Sequence, residues 1–178
     1  PDIATLGKGI GGGYQPLAAV VTGSKIVRVL HDSGFAHGHT YIGHAVACAA
    51  GCAVQEVLDN EGLLERTRDE GMKFGTMLRD RFGAHPLVGD IRGRGLFWAL
   101  ELVADRETKR GFENGGRLPN QLLLAAMDAG MICYPGAITV DGATVPHIML
   151  APPMLVEERH MLECMNCIEQ TIDVTLDG

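Results

Sequence analysis

The sequence predicts an α/β fold in which a strand and two helices are followed by a smaller unit of mixed strands and helices. Apolar residues recur at helical spacing in three stretches, 43–58, 63–82 and 156–172. Short apolar runs, separated by glycine-rich or polar turns, follow residue 83. Of the 178 residues, 46% are hydrophobic and 21% are charged, which is the composition of an ordinary globular protein. We therefore expect one sizeable core or two small ones.

The first half of the chain opens with a glycine-rich loop. Five glycines surround Lys8 and Ile10, and the apolar run Leu17–Val21 that follows predicts a short buried strand. Small and apolar residues at helical spacing predict a mostly buried helix over 43–58. A second, amphipathic helix is expected over 63–82, with Gly62 as a hinge between the two.

The second half is predicted to mix strands and helices. Strands are expected at Leu96–Val103, Met131–Tyr134 and His147–Leu150. A helix is expected over Pro119–Met127, because proline suits a first helical turn and Gly130 suits a helix end. The last helix is expected to begin near Val156. The change from long helical spacing of apolar residues to short apolar runs predicts a boundary between two domains near residues 60–85.

Charge and hydropathy argue against two classes of partner. The formal net charge is −7 and the isoelectric point is about 5.4, whereas nucleic acids and anionic lipids attract clustered lysine and arginine. No segment has the unbroken apolar length of a membrane span, and no signal-peptide pattern opens the chain. We therefore expect a cytoplasmic protein with no nucleic-acid or membrane partner. The opening Pro-Asp-Ile, without an initiator methionine, predicts an interior start to a longer polypeptide.

The five cysteines are predicted to be reduced core residues. They are odd in number, lie in apolar surroundings and include two pairs one helical turn apart, Cys48 with Cys52 and Cys164 with Cys167. A redox role for Cys164-x-x-Cys167 would need a helix amino terminus to activate a thiol. This pair instead lies inside a helical apolar face.

Lys8 is the main candidate for chemistry. A lysine amine can attack a carbonyl group, and flanking glycines would let a flat cofactor approach it; a solvated loop lysine is the alternative. Gly7, Gly9 and Gly12 also match the dinucleotide-binding pattern G-x-G-x-x-G, but that pattern needs a helix to open at its last glycine. Pro16 and the strand-like run after it argue against such a helix. No serine or threonine follows Lys8, as a Walker A loop would require.

A second candidate region runs from His37 to His44. Thr40 offers a hydroxyl group near a helix start, a favourable place for a phosphate group, although a role as the helix N-cap would explain it equally. His37, His39 and His44 are residues that can bind metals, but carboxylate or cysteine ligands at a fitting spacing are lacking. We predict no metal site.

A third candidate is Arg94, in the segment Asp90-Ile91-Arg92-Gly93-Arg94-Gly95. Its guanidinium group could bind a substrate carboxylate through two hydrogen bonds. An arginine that holds a turn before a strand is an equally good interpretation.

Taken together, these segments resemble the class III (ω-) aminotransferases, which are fold-type I pyridoxal-phosphate enzymes. Four segments carry the resemblance in the family's order: Lys-Gly-Ile-Gly-Gly-Gly-Tyr-x-Pro from Lys8, Gly-His-Thr-Tyr-x-Gly-His-x-x-x-Cys-Ala-Ala from Gly38, Arg-Gly-Arg-Gly-Leu from Arg92, and Ala-Pro-Pro-Met from Ala151. The resemblance extends to about residue 172. It implies that residues 1–70 are the end of the large cofactor-binding domain and that residues 71–178 are the small carboxy-terminal α+β domain.

The resemblance also implies the chemistry. Lys8 would form a Schiff base with pyridoxal 5′-phosphate and shuttle a proton at the substrate carbon while the protein transfers an amino group from an amine or amino acid to an oxo acid. Thr40 and His39 would bind the cofactor, and Thr40 would reach the phosphate group in the neighbouring subunit of a homodimer or dimer of dimers. Arg94 and His147 are the candidates for substrate binding.

Two departures from the family pattern bear on function. The family's carboxylate for the pyridine nitrogen, its ring-stacking aromatic residue and its phosphate-binding turn precede the lysine and are not in this sequence, so this chain alone is expected to be inactive. Many members also carry an arginine shortly before Ala-Pro-Pro, whereas residues 135–150 contain none. A mutase or racemase of the same fold is the closest rival function. A non-catalytic interaction domain is the rival from another class.

Overall fold

The computed structural model describes residues 1–176, which divide into two compact units. The first unit is Pro1–Leu63, and the second begins at Leu64. The predicted boundary at residue 70 remains a prediction, because the helix that begins at Leu63 continues without a break to Phe82.

The first unit contains two strands, one short 3-10 helix and two α-helices. The elements in chain order are β1 (Ile3–Leu6), the 3-10 helix (Lys8–Gly11), β2 (Ala19–Thr22), α1 (Ser24–Ser33) and α2 (Ala45–Asn60). Strands β1 and β2 pair antiparallel, from Ile3 opposite Thr22 to Leu6 opposite Ala19. Three elements, β1, the 3-10 helix and α1, are missing from the sequence-based prediction.

The apolar residues of this unit are more exposed than the sequence predicts. Strand β2 is near the predicted strand at 17–21, but the expectation that it is buried is wrong: Val20 is 69% and Val21 is 55% exposed. Within residues 1–63 its hydrogen-bonded neighbour is β1, and a two-stranded sheet leaves both faces open. Helix α2 occupies the predicted stretch, yet its buried residues are Ala47 and Gly51 alone. The expectation that this helix is mostly buried is also wrong.

The second unit is a four-stranded antiparallel sheet with helices. Its elements in chain order are α3 (Leu63–Phe82), β3 (Val88–Arg94), β4 (Phe97–Leu102), α4 (Leu118–Asp128), β5 (Tyr134–Val140), β6 (Ala143–Leu150) and α5 (Glu158–Leu176). The strand order is β3-β4-β6-β5. Two hairpins, β3–β4 and β5–β6, therefore meet along β4 and β6.

One face of this sheet forms the core. Along β4 the buried side chains are those of Trp98, Leu100 and Leu102, while the alternate positions are more exposed, as a half-buried strand requires. Apolar residues of α3 and α5 pack against this face. They include Phe74, Leu78, Phe82, Met161, Met165, Ile168 and Ile172.

Glycines allow α3 to lie directly on the β3–β4 hairpin. A Cβ atom on Gly75 would lie 2.1 Å from Cζ2 of Trp98, and one on Gly93 would lie 2.5 Å from Cδ2 of the same ring. The indole N–H of Trp98 donates to the Gly95 carbonyl oxygen at 2.7 Å, and the guanidinium carbon of Arg79 lies 4.8 Å from the centre of the ring. Trp98 thus joins the helix to the hairpin turn.

Arg66 connects α3 to the loop that follows β6. Its Nη2 donates to the carbonyl oxygen of Val156 at 2.7 Å, and its Nε donates to that of Met154 at 3.1 Å. The loop contains Pro152 and Pro153, which have no N–H to donate. We call this pair of contacts the Arg66 clasp.

The strand predictions for this unit are only partly correct. Strand β4 matches the strand predicted at 96–103. Strand β6 contains the strand predicted at 147–150 and begins earlier, at Ala143. The strand predicted at 131–134 is wrong, since β5 begins at Tyr134 and Ile132 is 91% exposed. Strand β5 was not predicted because Pro135 and Gly136 are uncommon within strands. An edge strand tolerates a proline because the outer side of the strand needs no N–H donor. The helices at 118–128 and 158–176 confirm the predictions for those stretches.

Candidate active site

Lys8 stands at the start of the 3-10 helix with its side chain exposed. Its φ of 51° is left-handed, which is unfavourable for a residue with a Cβ atom. A Cβ atom on Gly7 or Gly9 would meet nothing within 4 Å. Lys8 is therefore an exposed residue with an unfavourable backbone conformation, and the space beside the glycines on either side of it is open.

Three backbone hydrogen bonds hold this loop. The amides of Ile10, Gly12 and Tyr14 donate to the carbonyl oxygens of Gly7, Gly9 and Gly11, at 3.3, 3.0 and 3.0 Å. The chain then runs through residues 15–18 into β2. Because a strand rather than a helix follows Gly12, the structure excludes the dinucleotide-binding alternative.

Two neighbouring cavities share one wall in this unit. The first has a volume of about 620 Å³ and is lined by Lys8, Gly13 and the segment 15–18. The second has a volume of about 560 Å³ and is lined by the same segment together with His39, Tyr41 and His44, among others. Residues 15–18 thus line both the cavity that Lys8 lines and the cavity that His39 lines. Thr40 lines neither cavity.

The residues before α2 have local roles that the sequence did not predict. His44 is the N-cap of α2, and its Nδ1 accepts from the Ala47 amide at 3.3 Å. The interpretation of Thr40 as the cap is therefore wrong. His39 stabilises the turn before the helix, since its Nδ1 accepts from the Tyr41 amide at 3.2 Å. The Thr40 side chain is exposed in that turn.

Arg94 lies in the second unit, at the end of β3. The alternative that it holds a turn before a strand is wrong: Arg94 belongs to a strand, and the turn is held by Trp98. Its neighbour Arg92 makes the ion pairs, with Asp90 at 2.8 Å and Glu101 at 2.9 Å. The hydrogen bond from Arg92 lowers the pKa of the Asp90 carboxyl group below its usual value.

His147 lies on β6, on the face of the sheet that carries Arg94. Opposite residues of an antiparallel pair share a face, and Glu101 is opposite His147 on one side while Gly136 is opposite it on the other. The ring covers Gly136, where a Cβ atom would lie 2.7 Å from Nε2 of His147. The Arg92–Glu101 ion pair lies on this same face, and β3 carries Arg94 two residues beyond Arg92.

The cysteines separate into two groups. Cys48 and Cys52 are exposed, so the expectation that they are core residues is wrong. Burial raises the pKa of the Cys133 thiol to about 11 and that of Cys164 to about 12. Cys133 and Cys164 pack against the core of the second unit, and all five cysteines are free. Among residues 1–176, no three His, Cys, Asp or Glu side chains come together as metal ligands would.

The sequence as a whole matches one known protein family. The sequence model of the class III aminotransferases matches residues 1–172. The chain belongs to the class III aminotransferase family. Its members depend on pyridoxal phosphate.

Individual class III relatives agree with this assignment. An uncharacterized aminotransferase of Schizosaccharomyces pombe is 38% identical over 181 residues, which cover 99% of this chain and 39% of that protein. A thermostable (S)-enantioselective omega-transaminase from Thermomicrobium roseum is 31% identical with a TM-score of 0.88, covering 99% of this chain and 38% of the other. An amine transaminase from an uncultivated Pseudomonas species, in its pyridoxal-phosphate-bound form, is 28% identical with a TM-score of 0.86 and covers 98% and 39%.

The chain thus spans about two fifths of the length of the class III proteins it matches. Its fold is the end of the fold-type I large domain followed by the small α+β domain. Among the residues the structure describes, no helix combines the length and apolar character needed to cross a membrane.

Gln15 and Leu17 are site residues that sequence reasoning did not single out. Both line the wall that the two cavities share. A usable signal was present, because both lie in the short connection between the loop that carries the candidate Lys8 and a strand.

Proposed function

We propose that this protein is a pyridoxal-phosphate-dependent aminotransferase, with Lys8 as the residue that binds the cofactor covalently. The observation that carries the proposal is the position of Lys8: an exposed primary amine, in a strained backbone conformation, on the wall of an open cavity. Strained residues of this kind are concentrated at functional sites. The family assignment supports the same role.

The residues around Lys8 fit such a cofactor. A flat carbonyl compound needs access to the amine, and the absence of side chains at Gly7 and Gly9 provides it. The segment 15–18 bounds the space on one side and contributes the side chain of Gln15 as a polar group. Among the described residues that line this cavity there is no carboxylate, so the partner of the pyridine nitrogen is not part of it.

The roles of the chain's own residues follow from their positions. Bound pyridoxal phosphate supplies an electron sink for charge that develops on the substrate carbon. Lys8 would anchor the cofactor through Nζ until the substrate amine displaces it, and the freed Nζ would then accept a proton from the substrate carbon and return it. We propose that His39 and Thr40 bind the cofactor, with Thr40 serving the phosphate group in a second subunit. Support for that second role is that Thr40 is exposed but does not line the cavity of Lys8.

Arg94 and His147 are proposed to bind the substrate carboxylate. They share one face of the sheet in the second unit, and Arg94 makes no side-chain hydrogen bond or ion pair within residues 1–176. A guanidinium group that is not paired with a protein carboxylate can donate two hydrogen bonds to a substrate carboxylate. We further propose a homodimer that works in the cytoplasm on amines or amino acids and oxo acids. Five free cysteines are typical of a reducing compartment.

The test is chemical trapping on the protein isolated from its own source, so that any sequence outside these 178 residues is present. Pyridoxal phosphate is added, the mixture is reduced with borohydride, and the adduct is mapped by mass spectrometry. We expect the adduct on Lys8 and its loss in Lys8→Arg, which keeps the charge. Lys25→Arg, which changes an exposed lysine of α1, is the matched control and should keep the adduct.

Two results would refute the proposal. One is an adduct spread equally over Lys8, Lys25, Lys73 and Lys109. The other is trapping on Lys8 without transfer of an amino group to any oxo acid, in which case a mutase or racemase assay with single enantiomers would identify the reaction.

A further inference from the structure

The loop that carries Lys8 packs on helix α2 through positions where side chains are missing. A Cβ atom on Gly51 of α2 would lie 2.5 Å from Cδ2 of Leu17 and 3.8 Å from the carbonyl oxygen of Ile10. A Cβ atom on Gly12 would lie 2.7 Å from Cγ2 of Val54, one turn further along the same helix. Gly51 is buried in a unit that buries few residues.

Leu17 links this packing to the Lys8 cavity. The Leu17 side chain occupies the space that a Cβ atom on Gly51 would need. The Cβ atom of Leu17 lies 3.5 Å from the position that a Cβ atom on Gly11, the last residue of the 3-10 helix, would take. Leu17 also lines both cavities. Any shift of Leu17 therefore moves the wall that faces Lys8.

The backbone of Lys8 needs such support. A left-handed residue that has a Cβ atom keeps its conformation only where the surrounding structure imposes it. The 3-10 helix spans Lys8–Gly11, so its contact with α2 fixes the residues directly after Lys8. Of the two strands in this unit, β1 ends just before this helix and β2 begins after residue 18, which leaves α2 as the main support of the loop.

We propose that Gly51 and Leu17 are positioning residues for Lys8. The missing side chain at Gly51 lets Leu17 and the 3-10 helix settle on α2, and this contact, which we call the Gly51 seat, holds the Lys8 amine in place. The inference rests on the proposed function of Lys8, but the seat itself is testable without the cofactor.

The experiment compares four variants with the unsubstituted protein, all purified from the protein's own source. Gly51→Val fills the seat. Leu17→Ala in the same chain makes room again, and Leu17→Ala alone is the reference for that pair. Gln55→Val adds the same β-branched side chain at an exposed polar position of α2 and is the matched control.

Two readouts are taken for each variant. The first, without cofactor, is the hydrogen-exchange rate of the Ile10, Gly12 and Tyr14 amides. The second is the rate at which added pyridoxal phosphate becomes trapped on Lys8 by borohydride. We expect Gly51→Val to speed the exchange of these amides and to slow the trapping on Lys8, each by about 5- to 30-fold. Adding Leu17→Ala to Gly51→Val should restore most of the exchange rate and of the trapping rate, relative to Leu17→Ala alone. Gln55→Val should change neither rate.

The outcomes separate this inference from the proposed function. Unchanged exchange and trapping in Gly51→Val, or changes that Leu17→Ala does not restore, would overturn the seat. Faster exchange in Gly51→Val with restoration by Leu17→Ala, in a protein whose Lys8 is never trapped, would support the seat and overturn the role of Lys8. If Gly51→Val does not fold, Gly51→Ala replaces it, with smaller changes of the same sign expected; equality with the unchanged protein would then refute the seat.

Discussion

In the first unit Lys8 stands between two glycines around which there is open space, whereas in the second unit the glycines of α3 and β3 touch the neighbouring element. Cβ atoms on Gly7 or Gly9 would meet nothing within 4 Å, but one on Gly71 would lie 2.2 Å from the carbonyl oxygen of Gly95. Glycine thus provides access beside Lys8 and close packing between α3 and the β3–β4 hairpin. Composition alone cannot distinguish the two uses, because the difference lies in what faces each glycine.

The units also differ in their cores. The second unit has a continuous cluster of fully buried side chains on one face of its sheet. In the first unit, by contrast, Val20, Val21 and Val46 are each more than half exposed. Stability is therefore expected to depend on packing in the second unit and much less on packing in the first.

Core truncation should give the largest contrast. Leu100→Ala removes a side chain that is 0% exposed and should lower the free energy of unfolding by about 2–5 kcal/mol. Val20→Ala, at a 69% exposed position, should change it by less than about 0.5 kcal/mol. Urea unfolding followed by circular dichroism, with the fluorescence of the single tryptophan, Trp98, as a probe of the second unit, measures both. An equal loss of unfolding free energy in the two variants would contradict this difference between the units.

Overpacking should give the next largest effect. Gly75→Ala places a methyl group against the Trp98 ring and should cost about 1–3 kcal/mol. Gly116→Ala adds the same group in the same unit where nothing lies within 4 Å, so no loss of stability is expected there. Thermal unfolding of the two variants checks this. A stable Gly75→Ala would show that α3 can move away from the hairpin without penalty.

Relief of strain should act in the opposite direction. Lys8→Gly removes the side chain from a left-handed residue that is exposed and should raise the free energy of unfolding by about 1 kcal/mol, while abolishing trapping of pyridoxal phosphate. Lys8→Ala removes the amine but keeps the Cβ atom, so it should not share the gain. Should the two variants have equal stability, the backbone at Lys8 would not be strained.

At neutral pH, thiol titration should give the smallest effect. Unfolded thiols ionise near pH 8.5, but burial raises the folded pKa of Cys133 to about 11 and of Cys164 to about 12. At a pH between these values the unfolded state binds fewer protons than the folded state. The free energy of unfolding therefore has its full value below about pH 8.5 and falls as the pH rises. Melting temperatures at pH 8 and 10 measure the fall, which should be smaller in Cys164→Ala. At pH 8 iodoacetamide should label exposed Cys48 and Cys52 before these two thiols.

Much of the fold could be predicted where the pattern was long and periodic. Helices α2, α3 and α5 have apolar residues at helical spacing over many turns, and Pro119 and Gly130 lie near the ends of α4. Helix α1 was missed although Ile26, Val27, Val29 and Leu30 have helical spacing, because that pattern covers only five residues. Strand β3 was missed because Gly93 and the arginines of its end are typical of a turn.

The site was predictable in its residue types but not in its geometry. The glycine-rich motif made Lys8 a candidate, but no local pattern shows its left-handed backbone or its place beside residues 15–18 on the wall of a cavity. Thr40 was considered as a helix cap because capping favours threonine, but His44 has that role through Nδ1. Burial in the first unit was overestimated because apolar periodicity predicts a face, not what covers it.

The Arg66 clasp has a consequence for how the loop after β6 can change. Arg66 binds main-chain oxygens at 154 and 156, so the clasp does not depend on which side chains those positions carry. Met154 and Leu155 are 38% and 59% exposed, which leaves both free of core packing. Positions 154 and 155 can therefore carry many different side chains without a change in the backbone path, whereas position 156 cannot, because the Val156 side chain is buried in the core.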